Sequence, residues 1–576
     1  MAATVPAERR SDHRLVWVVA ALPAVPVLVL LVRVLHSSWL STSDWASIEL
    51  RTRDVGTRNT PLLGPYSRYG WNHPGPLLFY VLALPYRLLG GQGLGILAGA
   101  LAINVVAIGC VGVVLWRRGR FAGLTLGLVV VLLLARALGS GFLVDPWNPY
   151  VIVLPLFALV CLAWAATDGD LWAFPAAIGV GSFVVQSHIG VAFAAVAVVA
   201  VAAVIVVVEA RRSGFAQLKW VAVTSSAVAL VCWLPPVIQQ LERGPGNIGE
   251  LTNFFRHPHA PTTGWSAGAR IVGEQLSIPA PWFWRHQRVA PFTGGADPHW
   301  QVPIALIFLI AAGVVAVRRH DRQSLTLDIL ALTLVLAAVF SAAHIVDTPY
   351  VYIVRWMWTV GAIVWLAVLW TAWRALPVGI HTGIAVSRLP VALVAVLAAW
   401  LAVMATHADF PGQADQRSLT HIAPAVSRAL RALPGPVLVQ SSPDFLSAIE
   451  TSGILLIAIH AGVDARLADQ STNVVGSGHT ISATSARSTV VVAVDDAIDA
   501  YRDNPDFHGL AHYDPISPED RAFHTRYDIA AHHAFFGPHA DPNAWLAAHQ
   551  ADLARIRRLD ARGSAIEVFL ETSKTT

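Results

Sequence analysis

The residues with chemical potential sit in a few short polar stretches. The first is "STSDWASIELRTRDVG", Ser41 to Gly56, where Asp44, Glu49 and Asp54 stand among Arg51 and Arg53 directly after a long apolar run. Ser41, Thr42 and Ser43 are good helix N-caps, an acid is favoured in the first turn, and Gly56 suits a helix end. Asp44 is therefore either a plain first-turn acid or a carboxylate placed to take a proton from a hydroxyl. Glu49 and Asp54 read more simply as partners of Arg51, Arg53 or Arg58. Downstream, "GPYSRYGWNHPGPLLFY" carries Arg68 and His73. "DPWNPY" carries Asp145 and Trp147 in a stiff, aromatic turn, where Asp145 is a proline-preceding turn residue, an orienting acid or a ligand for a divalent cation. "QSHIG" carries His188, and "YVYIVRWMW" sets Arg355 among aromatics. A guanidinium fork there fits a phosphate, and snorkelling to headgroups fits the same position.

The elements that must position these residues are membrane helices. The 576 residues are 55% hydrophobic and 13% charged, against about a quarter charged in soluble domains. Apolar runs near 20 residues recur, each long enough to cross about 30 Å of hydrocarbon. The first, at 15–36, follows a basic N-terminal stretch and is too long for a signal-peptide core, so it reads as an uncleaved span. Walking the chain gives about eleven spans. In that count "WRRGR", "EARRSG" and "VRRHDR" all fall inside, the pattern expected of cytoplasmic loops. The basic residues thus report topology and not a nucleic-acid partner. The three cysteines, Cys110, Cys161 and Cys232, lie inside apolar runs and give no disulfide framework.

The expected organisation is a transmembrane domain at 1–405 and an extracytoplasmic α/β domain at 406–576. The membrane is the plasma (inner) membrane, with the N-terminus cytoplasmic. The first outer loop, 37–91, should hold two interfacial helices joined by an aromatic, glycine-rich turn, because the run from Pro76 to Leu89 is too short to span. The outer loop at 239–301, with "NFFRHPHAPTTGW" and "IPAPWFWRHQR", reads as an interfacial anchor or a gate. In the last domain "PVLVQSS" and "STVVVAVDD" read as buried strands, and "DFLSAIETSGILLIAIHAG" as a helix closed by glycine. His532 and His533 are adjacent, about 100° apart on a helix, and do not chelate one metal. The domain carries no Walker loop, nucleophile elbow or zinc-type cysteine pair, so no metal site and no catalysis of its own are expected there.

The acid after the first span, the two outer helices, the "HPGPLLFY" segment and the span that follows together resemble the GT-C superfamily of integral-membrane glycosyltransferases. The style is that of protein-mannosyltransferases and lipid A aminoarabinose transferases, in an actinobacterial type. The likeness extends from the first span to about the seventh. The paired Asp-Glu common in such enzymes is not adjacent here, since Trp45 follows Asp44. The resemblance implies a polytopic helical fold and a polyprenyl-phosphate-linked sugar donor. It also implies transfer on the outer side of the membrane to an envelope glycan, lipid or protein acceptor. By position Asp44 matches the catalytic base, and Asp145 lies in the loop that often bears a second acid. The substrate-binding candidates are Glu49, Arg68, His73, Trp147, His188 and Arg355. No cofactor is demanded, a divalent cation at Asp145 stays an open alternative, and membrane lipids are the remaining partners. The competing reading is a transporter or flippase of lipid-linked glycans, which should place ionisable groups or broken helices at mid-membrane.

Overall fold

The computed structural model describes residues 8–213, 216–242, 244, 246–284, 300–377, 389–536 and 542–572. Residues 285–299, near the end of the expected outer loop at 239–301, lie outside them. The chain forms two compact units. One comprises Met1–Arg33, Ala100–Pro291 and Ala296–Ala408; the other takes in Val34–Gly99 and Asp409–Thr576.

The first unit is helical. Among the described residues of the whole chain, eight helices are long and apolar enough to cross a membrane. The difference from eleven has a geometric source. Leu94–Leu138 contains two expected spans: its backbone leaves helical geometry at Arg120 (φ 51°, ψ −135°). A Cβ at Gly123 would strike the Leu115 carbonyl, so the arms of this hairpin close only over glycine. Two further expected spans are the 15-residue helices Ala173–Ser187 and Ile304–Arg318. At 1.5 Å per residue each is about 22 Å long, short of a full crossing. Asn148–Thr167 is the innermost segment, buried along its whole apolar window.

The loops assigned to one side by their charge do meet at one end of this unit. Arg117 pairs with Asp170 at 2.5 Å, Arg118 with Asp168 at 3.4 Å, and Arg322 with Glu209 at 2.6 Å. Arg374 grips Asp321 through two bonds of 2.6 and 3.1 Å. Burial works against ionisation of Asp321, but the bonds from Arg374 and Ser324 outweigh it and hold the carboxyl below its usual pKa. At the other extremity of the first and last spans, Arg33 donates to the Ala405 and Ala408 carbonyls at 2.9 and 2.6 Å.

The second unit is built on a six-stranded sheet. Its strands are β1 (Val437–Ser441), β2 (Ala465–Ala468), β3 (Thr480–Ile481), β4 (Ser488–Val494), β5 (Phe507–Tyr513) and β6 (Ile566–Glu571), in the order β3-β2-β1-β4-β6-β5. β1 to β4 run parallel, and β6 is antiparallel to both β4 and β5. All seven residues of β4 are buried, which accounts for its unbroken apolar run. The connection from β1 to β2 is the helix Phe445–His460, capped by Asp444, whose carboxylate accepts the Ser447 N–H at 2.8 Å.

The first-loop helices belong to this second unit. Ser43–Asp54 contributes Ala46 and Leu50 to the same core as Leu419, Ile454 and Val490. Residues 45–50, 52 and 54 of this helix are buried, which covers its whole circumference. Leu77–Leu88 is two-faced. Leu78, Phe79, Leu82 and Tyr86 are buried, while Val81, Leu84 and Leu88 form an exposed apolar stripe.

Candidate active site

The sequence candidates fall into two clusters, one in each unit. In the helical unit the chain leaves the Leu94–Leu138 hairpin through a 3-10 turn, Ser140–Val144, into Asp145. Asp145 is extended, as a residue before proline must be, and is 7% exposed. Its Oδ1 accepts the Trp147 N–H at 2.9 Å, an Asx-type turn that fixes the loop. Trp147 in turn packs on the rings of Tyr150 and Tyr352, each at 5.0 Å.

Arg355 is 2% exposed, with its guanidinium 4.3 Å from the centre of the Trp358 ring. Tyr150 lies within electrostatic reach of both Asp145 and Arg355. His188 ends the helix Ala173–Ser187; it is buried and hydrogen-bonded with the Ile353 backbone, two residues before Arg355. The same corner is tied by Asn148, which donates to the Ser187 carbonyl at 3.1 Å. Burial pushes the His188 pKa down to about 4, against a smaller upward pull from Ile353, so the ring is neutral at neutral pH. Asp145, Trp147, His188 and Arg355 thus come together, from positions more than two hundred residues apart in sequence, with Tyr150, Asn148 and Tyr352 as further members that no spacing singles out. The fork of Arg355, an acid and an apolar aromatic wall are a set that can hold a phosphate monoanion beside a sugar.

In the second unit Asp44 is half-buried in the first turn of its helix. Its Oδ1 accepts the Tyr66 hydroxyl at 2.5 Å. Tyr66 belongs to a small antiparallel loop closed by Ser67 N to Trp71 O at 2.8 Å and His73 N to Pro65 O at 2.8 Å. The loop presents Arg68, exposed and bonded to the Tyr69 hydroxyl at 2.7 Å, and buries His73 against Trp71. Asn72 and Asn473 join it to the C-terminal domain by bonds of 3.0 and 3.1 Å to opposite backbones. A charge-assisted bond from a phenol fixes one Asp44 oxygen and its orientation.

Glu49 has a different surrounding. It is 1% exposed and accepts from Ser41 and from Tyr86, and His460 Nε2 lies 3.3 Å from it. Burial first, then the charge of Glu49, raises the Tyr86 phenol well above its usual pKa. Asp54 is held by His479 at 3.0 Å and by Arg51 at 3.8 Å. The expected arginine partners are therefore only partly realised: Arg51 serves Asp54, while two histidines of the C-terminal domain serve as the closer cations or donors. No sequence spacing signals these bonds, because Asp54 and His479 are 425 residues apart. Arg136, near the end of the helix Leu94–Leu138, is an anchor, donating to the Phe283 carbonyl at 2.7 Å and covering Trp400.

No family model matches the sequence, and no curated protein matches it in sequence. Solved structures do match in fold. ArnT from Cupriavidus metallidurans bound to undecaprenyl phosphate superposes with a TM-score of 0.50 at 15% identity, covering 86% of this chain and 96% of that one. The apo state of the same protein gives 0.51 with the same identity and coverage. The chain shares the fold of ArnT, the kind of fold that the segment around Asp44 led us to expect.

Proposed function

We propose that this protein is a glycosyltransferase that moves a sugar from a polyprenyl-phosphate-linked donor to an envelope glycan, lipid or protein acceptor on the outer face of the membrane. The observation that carries the reading is fold likeness to ArnT across 96% of that chain, in a structure holding undecaprenyl phosphate. Two further observations support it: the buried Arg355 among aromatics, and an outer-loop acid held by a tyrosine.

In this reading Asp44 takes the proton of the acceptor hydroxyl as that oxygen bonds to the anomeric carbon. The bond from the anomeric carbon to the phosphate oxygen breaks, and the lipid phosphate leaves with the electron pair. It needs no strong general acid, since a phosphate is already a good leaving group. Arg355 stabilises the charge that develops on it. Asp145 fixes the loop that bears Trp147 and orients the acceptor. Arg68, His73 and Glu49 shape the surroundings of Asp44, and His188 those of Arg355. One displacement inverts the anomeric configuration.

The test is Asp44→Asn in full-length protein in detergent. The variant should melt like the wild type, retain undecaprenyl phosphate and lose transfer by about 100-fold or more. Full activity would remove Asp44 from the reaction. Mass spectrometry of envelope glycans and lipid-linked sugars, with and without the gene, should show the unused donor accumulating and so identify sugar and acceptor.

A further inference from the structure

A second cluster of ligand-type side chains lies in the C-terminal domain, in residues that the proposed transfer reaction does not use. β4 runs straight into Asp495, whose φ of 50° is left-handed. Asp accepts that conformation better than most residues. Its side chain is 1% exposed, and Oδ1 accepts the Ala565 N–H at 2.9 Å, which aims Oδ2 at the neighbouring helix. That helix, Pro518–Phe536, brings His524 and Asp528 one turn apart on one face. His524 Nδ1 is 2.8 Å from Asp495 Oδ2 and 3.2 Å from Asp528 Oδ2. The three ligand atoms lie within 4.8 Å of one another.

One imidazole nitrogen carries at most one proton, yet two carboxylate oxygens converge on it. A single N–H serves both only as a shared, three-centre bond. A divalent cation accounts for both, since two carboxylates balance its charge and a neutral ring supplies the third ligand. Bonds of about 2.0–2.1 Å from a tetrahedral ion place neighbouring ligands about 3.3 Å apart, which the His524–Asp528 pair meets at 3.2 Å and the His524–Asp495 pair approaches at 2.8 Å. Asp528 is 27% exposed, which gives an ion a path in and leaves water for the open position. A nitrogen ligand with two carboxylates selects zinc or manganese over calcium or magnesium, which take oxygen.

We propose that Asp495, His524 and Asp528 bind one divalent transition-metal cation of the zinc class, pinning the helix Pro518–Phe536 to the end of β4. The ion is a structural clip, because binding to a site that exists only in the folded chain adds to folding stability.

The experiment uses full-length protein in detergent, purified through a tag without histidine. Inductively coupled plasma mass spectrometry should find close to one zinc per chain. A chelator should lower the melting temperature, and added Zn2+ should restore it. His524→Gln keeps an N–H to offer Asp495 but loses the ring nitrogen, so it should fold and bind Zn2+ at least tenfold more weakly. Asp528→Asn, at a partly exposed position, gives the same reading if the first variant does not fold. Zinc-edge absorption should report one nitrogen and two carboxylate oxygens from the protein. Chelated wild type that binds neither Zn2+ nor Mn2+ at micromolar concentration would overturn the proposal and leave a hydrogen bond only. Equal metal content in the wild type and both variants would overturn it as well.

Discussion

The side chains that matter most here are held by single, specific bonds, and each bond makes a prediction. The Tyr66 hydroxyl is the fixed partner of Asp44 Oδ1. Tyr66→Phe removes only that bond, worth about 1.5 kcal/mol to a charged acceptor, so kcat should fall by about tenfold with donor affinity unchanged. A steady-state analysis with kcat unaltered would argue against Asp44 needing this orientation. Arg355→Lys keeps the charge and loses the planar fork over Trp358. Its affinity for undecaprenyl phosphate should drop by about tenfold or more, measured as lipid retained in native mass spectra. His188 makes a pH prediction. Its folded pKa of about 4 lies below the unfolded value near 6.5. The unfolded state therefore takes up a proton first as pH falls, and stability is full above pH 6.5 and lost below it. The protein should be roughly 2 kcal/mol less stable at pH 5 than at pH 7. Thermal melting that shows the same loss in His188→Gln would assign the effect to other groups.

At the scale of elements, the helix Ser43–Asp54 behaves as part of a soluble-type core. Its buried Glu49 is satisfied by Ser41, Tyr86 and His460, so removing the carboxylate leaves buried hydroxyls without an acceptor. Glu49→Ala should cost about 3 kcal/mol in detergent unfolding; a loss under about 0.5 kcal/mol would show the cluster to be dispensable. The helix itself was legible in "STSDWASIELRTRDVG": its start at Ser43 and its end just before Gly56 agree with the cap residues. Its surroundings were not, because burial on every face reflects which distant segments pack against it. The strands β1 and β4 and the helix between β1 and β2 were legible for a related reason. Unbroken Val-rich runs and a 3.6-residue pattern closed by glycine are local signals. The short helices Ala173–Ser187 and Ile304–Arg318 were legible as apolar segments, while their lengths depended on where the backbone turns.

For the whole molecule, the loop charges make a directional statement. Arg118, Arg319 and Asp321, from loops that the charge count placed inside, line one cavity of about 570 Å3 together with Asp168 and Arg374. The proposed topology puts this end in the cytoplasm and the C-terminal domain outside. Cysteines introduced at Arg319 and Ser485, in a background lacking the three native ones, give the check. A membrane-impermeant maleimide applied to intact spheroplasts should label position 485 and label position 319 only after lysis. Labelling of both in intact cells would reverse or break the span count. Within the spans the transporter reading expects ionisable groups at depth. Among the described residues Asp328 is the buried carboxylate inside a span, and it is hydrogen-bonded by Thr371 at 3.3 Å.

The sequence by itself determined what depends on local composition: membrane helices, the grouping of their charged loops, the buried strands of the C-terminal domain, and the acid-bearing stretch whose style resembles GT-C enzymes. These follow from hydrophobic periodicity and from the cost of burying charge, which act on neighbouring residues. Only the tertiary structure decided which polar groups meet. It gave Asp44 to Tyr66, Glu49 and Asp54 to His460 and His479, Arg355 to the wall of Trp147, Tyr150 and Tyr352, and His524 to Asp495. A hydrogen bond or a metal ligand is satisfied by whatever the fold brings within 3 Å, and no spacing in a linear chain encodes that choice.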